Sequence, residues 1–198
     1  MDPLRAYFED LSEQWDENQP KDRDMILSRL LAPHKSLIAS ASSLLELGSG
    51  TGALSPILTE CYTNANHISL DLAYGMLLKA KPHKNGNHLI ESDVHKLPFN
   101  ENCFDIAVCH NCFPHFQNKA FAMCEIQRVL MPGSWLLILH DLGRDEINAI
   151  HQNASSSIIR DNLVPSIKEM IQYFEICNCT QIQVEDTTDH YTAIGRMP

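Results

Sequence analysis

The sequence contains no apolar run longer than five residues; Trp135–Leu139 is one of that length. A helix that crosses a bilayer needs about 20, so no membrane span is expected. Basic residues are scarce: 15 Lys and Arg stand against 25 Asp and Glu, a formal net charge of −10. Such a surface repels a phosphate backbone. The densest basic group, Lys79, Lys81 and Lys84, reads as a solvated helix end, so nucleic acid is not expected as a partner. The opening stretch MDPLRAYFEDLSEQWDE is acidic and lacks the basic-then-apolar order of an export signal. The seven cysteines, an odd number, then read as reduced thiols of a cytoplasmic protein and not as a disulfide framework. Repeats, low-complexity stretches and linkers are also missing. At 198 residues and 44% hydrophobic content, a single domain with one good core is expected over residues 1–198. Nothing in this composition indicates an oligomeric state.

What the chain does have is a rhythm of short apolar runs and amphipathic segments. Residues 1–35 read as an N-terminal helical cap, with Ile26, Leu27, Leu30 and Leu31 forming a helix stripe over 22–32. Strands are predicted at 44–47, 67–71, 88–92, 104–110 and 135–140. Helices are predicted at 53–61, 73–81 (stopped by Pro82), 118–130, 144–153 and 165–173. Residues 175–185 and 191–196 read as two closing strands, the first placing Cys177 and Cys179 on one face. Strands alternating with helices imply βαβ units and a doubly wound α/β fold around a mostly parallel sheet. In such sheets ligands bind beyond the carboxyl ends of the strands.

The sharpest signal is Leu45-Glu46-Leu47-Gly48-Ser49-Gly50-Thr51-Gly52, between a strand and a helix. Glycines there let the backbone turn tightly and approach a ligand with no Cβ in the way. The next strand ends at Asp71, whose carboxylate can accept hydrogen bonds from both hydroxyls of a ribose. The loop also satisfies the dinucleotide pattern G-x-G-x-x-G/A. Three features tilt against a dinucleotide. Glu46 puts a carboxylate where a pyrophosphate would be repelled and a cationic amino-acid end is suited. Asp93-Val94 offers a polar-then-apolar pair for an adenine amino group and ring face. Leu97-Pro98-Phe99 and then Phe104-Asp105 lead into the fourth strand.

From Leu44 to Leu139 the chain resembles the class I S-adenosylmethionine-dependent methyltransferases, in particular the small enzymes of ubiquinone and menaquinone biosynthesis. Leu45–Gly52 is similar to that family's first motif. Asp71-Leu72-Ala73 with Met76-Leu77 is similar to its ribose segment, and Asp93-Val94 to its adenine segment. Arg128–Ser134 is similar to the stretch before the fifth strand, with Ser134 where a second glycine is usual. The resemblance implies a seven-stranded sheet with an antiparallel last strand, and S-adenosyl-L-methionine as cofactor. It implies cofactor contacts from Glu46, Gly48, Ser49, Gly50, Gly52, Asp71, Leu72, Met76, Asp93, Val94, His110 and Asn111.

Methyl transfer to a small-molecule acceptor needs a base only if the acceptor is protonated. Two segments beyond the fourth and fifth strands are rich in candidates: Cys109–Phe116 and His140–Arg144, with Glu146 and His151 following. There is no Asn/Asp-Pro-Pro-Tyr/Phe motif of amino-group methylation. His115 and His140 are the candidate catalytic residues. The alternative role is a divalent metal held by His115, His140 and His151, since neutral imidazoles ligate such ions. Cys109-x-x-Cys112 is half a zinc spacing with no second pair, and reads as buried thiol. A different class of function also fits: a non-catalytic module that keeps the cofactor pocket and senses a metal or ligand through the His/Cys-rich rim.

Overall fold

A computed structural model describes residues 2–61, 66–80 and 88–198. Its strands are β1 (Ser43–Leu47), β2 (Asn66–Asp71), β3 (His88–Glu91), β4 (Phe104–His110), β5 (Leu130–His140), β6 (Thr180–Asp186) and β7 (Tyr191–Arg196). They form one sheet in the order β3-β2-β1-β4-β5-β7-β6. β7 is antiparallel to both β5 and β6, and the other pairings are parallel. The expected seven-stranded, mostly parallel sheet is therefore present. The chain order reverses between β1 and β4, which opens a crevice at their carboxyl ends.

The helices are α1 (Pro3–Leu11), α2 (Arg23–Leu31), α3 (Lys35–Ala39), α4 (Ser55–Cys61), α5 (Tyr74–Lys79), α6 (Lys119–Val129), α7 (Arg144–Gln152), α8 (Ser157–Arg160) and α9 (Ile167–Ile176). Successive strand residues point to opposite faces, and both faces are covered. Leu45, Leu47, Ala107, Cys109, Leu136 and Ile138 pack against Met123 and Ile126 of α6 and Met170 and Phe174 of α9. Leu44, Ile106, Val108, Leu137 and Leu139 pack against Leu27 and Leu31 of α2, Ile38 of α3 and Leu58 of α4. Burial on both faces explains why 106–109 of β4 and 135–139 of β5 read as unbroken apolar runs and not as alternating ones.

Two boundaries differ from the sequence reading. β5 begins at Leu130, not Trp135, because the Pro132-Gly133 pair forms an irregularity inside the strand: Gly133 has φ +78°, and the register with β4 shifts between Phe104 and Ile106. The closing strand at 175–185 is in fact the end of α9 followed by β6. A capping box, Ser166 with Glu169, starts that helix. It runs to Ile176, and the chain turns at Asn178, φ +53°. Cys177 and Cys179 thus lie on the turn and share no strand face. The helix stop at Pro82 and the basic residues Lys81 and Lys84 lie outside the described residues.

Candidate active site

Beyond the carboxyl ends of β1, β2 and β4 lies a cavity of about 370 Å³. The glycine loop forms its floor. Gly48 and Gly50 have φ +63° and +55°, left-handed values that disfavour any side chain. A Cβ at Gly48 would stand 2.5 Å from Cys112 Cβ, and one at Gly50 would face the Trp15 indole nitrogen at 3.9 Å. The opposite wall comes from the N-terminal segment: Leu4 and Phe8 of α1, then Trp15, Gln19 and Arg23. Glu9 fastens that segment, its two carboxylate oxygens each accepting a 2.7 Å hydrogen bond from the Tyr74 and Gly75 amides at the start of α5. Asp16 adds a second tie, accepting from Thr51 Oγ1 at 2.6 Å and from Arg23 at 3.3 Å.

Asp71 ends β2 at the cavity wall and is 8% exposed. Its Oδ2 accepts from the Gly50 amide at 2.7 Å and its Oδ1 from the Ala73 amide at 2.9 Å. Burial pushes its pKa up to about 6, against the lowering effect of the Ala73, Gly50 and Leu72 amides. Glu46 behaves differently. It is 2% exposed, and one oxygen accepts from Ser55 at 2.5 Å and Ser69 at 2.8 Å and meets His67 Nε2 at 3.0 Å. Burial pushes Glu46 up, but His67 and the two hydroxyls outweigh it and hold the carboxyl below its ordinary range. Asp93, after β3, accepts from the His95 amide at 2.9 Å and meets His95 Nδ1 at 2.6 Å. Val94, Leu72 and Met76 supply apolar wall beside it.

The rim beyond β4 and β5 is tied crosswise. Asn111, at φ +51°, donates to Asp141 Oδ1 at 2.8 Å, and His110 Nε2 lies 3.7 Å from Asp141 Oδ2. Burial would raise the Asp141 carboxyl, but His110 and Asn111 hold it at about 2. His115 lines the cavity with its ring edge-on to Phe8, centroids 5.1 Å apart. Its neighbour His151 is 5.0 Å away between ring centroids. Cys112 also lines the cavity, its thiol donating to Leu47 O at 3.0 Å, with the buried Cys109 sulfur at 2.8 Å.

Eleven of the twelve residues that the resemblance implies line this one cavity: Glu46, Gly48, Ser49, Gly50, Asp71, Leu72, Met76, Asp93, Val94, His110 and Asn111. Gly52 does not; it is buried behind the loop, donating to Ser49 O. Of the histidines proposed for chemistry, His115 lines the cavity, while His140 and His151 do not. His140 is 1% exposed and packs edge-on to Tyr191, centroids 6.0 Å apart. Among the described residues, no three His, Cys, Asp or Glu side chains are grouped so as to hold a metal ion. The sequence reading gave residues 1–35 only as a helical cap and did not single out Arg23, His95, Phe116 or Phe121, which also line the cavity. The Leu4-Phe8 spacing of i, i+4 was the available signal for α1, whose apolar stripe needs a surface to cover.

Comparison with known proteins agrees with this geometry. Residues 45–138 match the family model described as a methyltransferase domain. Malonyl-[acyl-carrier protein] O-methyltransferase of Methylococcus capsulatus is 32% identical over 110 residues, covering 54% of this chain and 40% of that protein. Demethylmenaquinone methyltransferase of Thermus thermophilus is 33% identical over 100 residues, covering 48% and 46%. The chain thus spans less than half the length of these two curated relatives. Among solved structures, a plantazolicin methyltransferase in complex with a triazolic analogue and S-adenosylhomocysteine superposes with a TM-score of 0.72, covering 100% of this chain and 92% of that one at 13% identity. An S-adenosylmethionine-dependent methyltransferase from Aquifex aeolicus gives 0.69, covering 94% and 98% at 16% identity. Residues 45–138 thus match a methyltransferase domain model, and the chain has the class I, Rossmann-like fold seen in S-adenosylmethionine-dependent methyltransferases.

Proposed function

We propose that this protein transfers a methyl group from S-adenosylmethionine to an acceptor that enters the cavity from the His115 and Trp15 side. The observation that carries the reading is the juxtaposition of the Asp71 carboxylate with the left-handed Gly48 and Gly50 backbone in one cavity. The donor set fits the cofactor: a carboxylate at the strand end for a ribose diol, apolar Val94, Leu72 and Met76 for a flat ring, and bare backbone for an amino-acid end. When bound, S-adenosylmethionine supplies a methyl group on a sulfonium, so the leaving group needs no further activation.

The chain's own residues then have three tasks. Asp71 accepts from the ribose hydroxyls, and Asp93 and Val94 receive the adenine. Trp15, Phe8 and Phe116 exclude water from the reacting end, which sharpens alignment of donor and acceptor. Relatives are named for acceptors as unlike as malonyl-acyl-carrier protein and demethylmenaquinone. The grouping of the described residues gives no support to a metal role for His115, His140 and His151, and the reading uses none. The test is calorimetric titration with S-adenosylhomocysteine, followed by turnover on a panel of carboxylate, phenol, thiol and amine acceptors. Binding with S-adenosylhomocysteine release supports the reading. Binding of NAD in place of S-adenosylhomocysteine would overturn it.

A further inference from the structure

Asn162 fixes proton positions on two neighbouring imidazoles. It stands between α8 and α9 and is buried. Its side-chain nitrogen lies 3.2 Å from His115 Nδ1. An amide NH₂ can only donate, so His115 Nδ1 is the acceptor and the neutral ring carries its proton on Nε2. The backbone carbonyl of the same residue meets His151 Nδ1. A carbonyl can only accept, so His151 carries a proton on Nδ1. One asparagine thus gives opposite roles to the Nδ1 atoms of two rings whose centroids are 5.0 Å apart.

His115 lines the cavity, whereas Asn162 and His151 do not. With Nδ1 turned to Asn162, the Nε2–H is the one polar group the His115 ring has left to offer a ligand. The ring also stays neutral. Burial lowers its pKa to about 3, and the ionisable groups facing it, His151, His140 and Lys119, are all basic and lower it further. A nitrogen that already bears a proton cannot take one from an acceptor. It can donate a hydrogen bond to one.

We infer that Asn162 is a positioning residue that holds His115 as an Nε2–H donor toward the methyl acceptor, and that the acceptor is an oxygen acid already ionised at neutral pH, a carboxylate. This rests on the methyltransferase reading and names its substrate class. The carboxylate lone pair forms the new carbon–oxygen bond. The methyl–sulfur bond breaks with its electron pair remaining on sulfur. No proton is released, so the site needs no base. The Nε2–H fixes the carboxylate by its second oxygen, and Arg23, which also lines the cavity, offers it positive charge.

Imidazole nitrogen–proton correlation spectra of the ¹⁵N-labelled full chain, with S-adenosylhomocysteine bound, test this directly. The expected result is His115 protonated on Nε2, bare on Nδ1 and untitrated from pH 5 to 8, with His151 protonated on Nδ1. His115 protonated on Nδ1, or titrating within that range, would overturn the inference. Asn162→Asp replaces a donor by an acceptor of the same shape. It should invert the His115 tautomer and bring its titration into the measured range, an effect that a merely structural asparagine would not have. If that variant fails to fold, the wild-type spectrum still decides. In the acceptor panel, with S-adenosylmethionine kept saturating at every pH, carboxylates should turn over at a rate that does not change across pH 5–8. Turnover of amines or thiols with none on carboxylates would defeat the substrate class. Failure of S-adenosylhomocysteine to bind defeats the methyltransferase reading instead, so the two failures are separable.

Discussion

Asp71 shows how one side chain can serve both loop and ligand. Its carboxylate pins the Gly50 amide at 2.7 Å while lining the cavity. Asp71→Ala removes the hydrogen bonds it offers a ribose, each worth roughly 1.5–3 kcal/mol when one partner is charged. S-adenosylhomocysteine affinity should fall at least tenfold by calorimetry, and an unchanged affinity would remove Asp71 from the site. Because burial holds this carboxyl at about pH 6, affinity should also weaken as pH falls through 6, where the acceptor oxygens become protonated. Asp71→Asn should lose that dependence. Gly50→Val tests the loop backbone. Its φ of +55° strains any branched residue, and the new side chain would point at the Trp15 indole. Binding should be abolished while thermal unfolding stays cooperative, because the loop lies outside both apolar clusters.

At the scale of elements, the sheet and its glycine loop were legible because they are local in sequence. Apolar runs bounded by Gly, Asp and Pro mark β1, β2 and β4 within a residue or so of their observed ends. What was not legible depends on distant partners. The Pro132-Gly133 pair looks like a turn until β4 and β7 flank it and draw it into β5. The end of α9 was missed because its stop is Asn178 at φ +53°, a turn with no glycine or proline to announce it. The role of Asn162 has no local signature at all, since His115 lies 47 residues before it. The N-terminal wall is the same kind of case: α1 is held by Glu9, 65 residues from the Tyr74 amide it caps. Asp or Glu at a helix start accepts from the exposed first amides and meets the positive end of the dipole. Glu9→Ala should therefore loosen α1 from α5. Hydrogen exchange should rise across residues 3–11 and at the start of α5, while β1 and β4 remain protected. Equal protection in parent and variant would show that Leu4 packing and the other ties, Arg5 to Glu91 and Asp16 to Thr51, hold the wall without Glu9.

The whole molecule carries an acid sensitivity set by two desolvated imidazoles, one buried and one half-buried on the cavity wall. His115 and His140 are each held near pKa 3 against an ordinary 6.5. Burial is the main cause for both; His151 adds to it for His115, and His110 for His140. In the unfolded chain both rings bind protons as pH falls below 6.5, and in the folded chain they do not. Stability is therefore fully present above 6.5 and is lost progressively as pH drops through the window between 6.5 and 3. Asp141, held at about 2, loses its own contribution lower still, below the unfolded value of 3.8. Asp71 acts in the opposite sense. Its folded pKa of about 6 lies above 3.8, so between those values acid favours the fold and offsets part of the histidine loss. Two histidines against one aspartate leave a net loss, on the order of a few kcal/mol, which is large beside a typical stability of about 5–15 kcal/mol. Melting temperature should fall steadily from pH 7 to pH 4.5. His140 is the better residue for testing the cause, because it is 1% exposed, lies outside the cavity wall, and its Nε2 has no hydrogen-bond partner among the described residues. Replacing it with a leucine of similar volume, His140→Leu, removes one proton-binding site from the unfolded chain and leaves the cavity lining intact. The variant should lose fewer degrees between pH 7 and pH 4.5 than the parent, and Asp71→Asn should lose more. Parallel melting curves for all three proteins would mean that the acid sensitivity arises elsewhere, in the carboxylates of the surface.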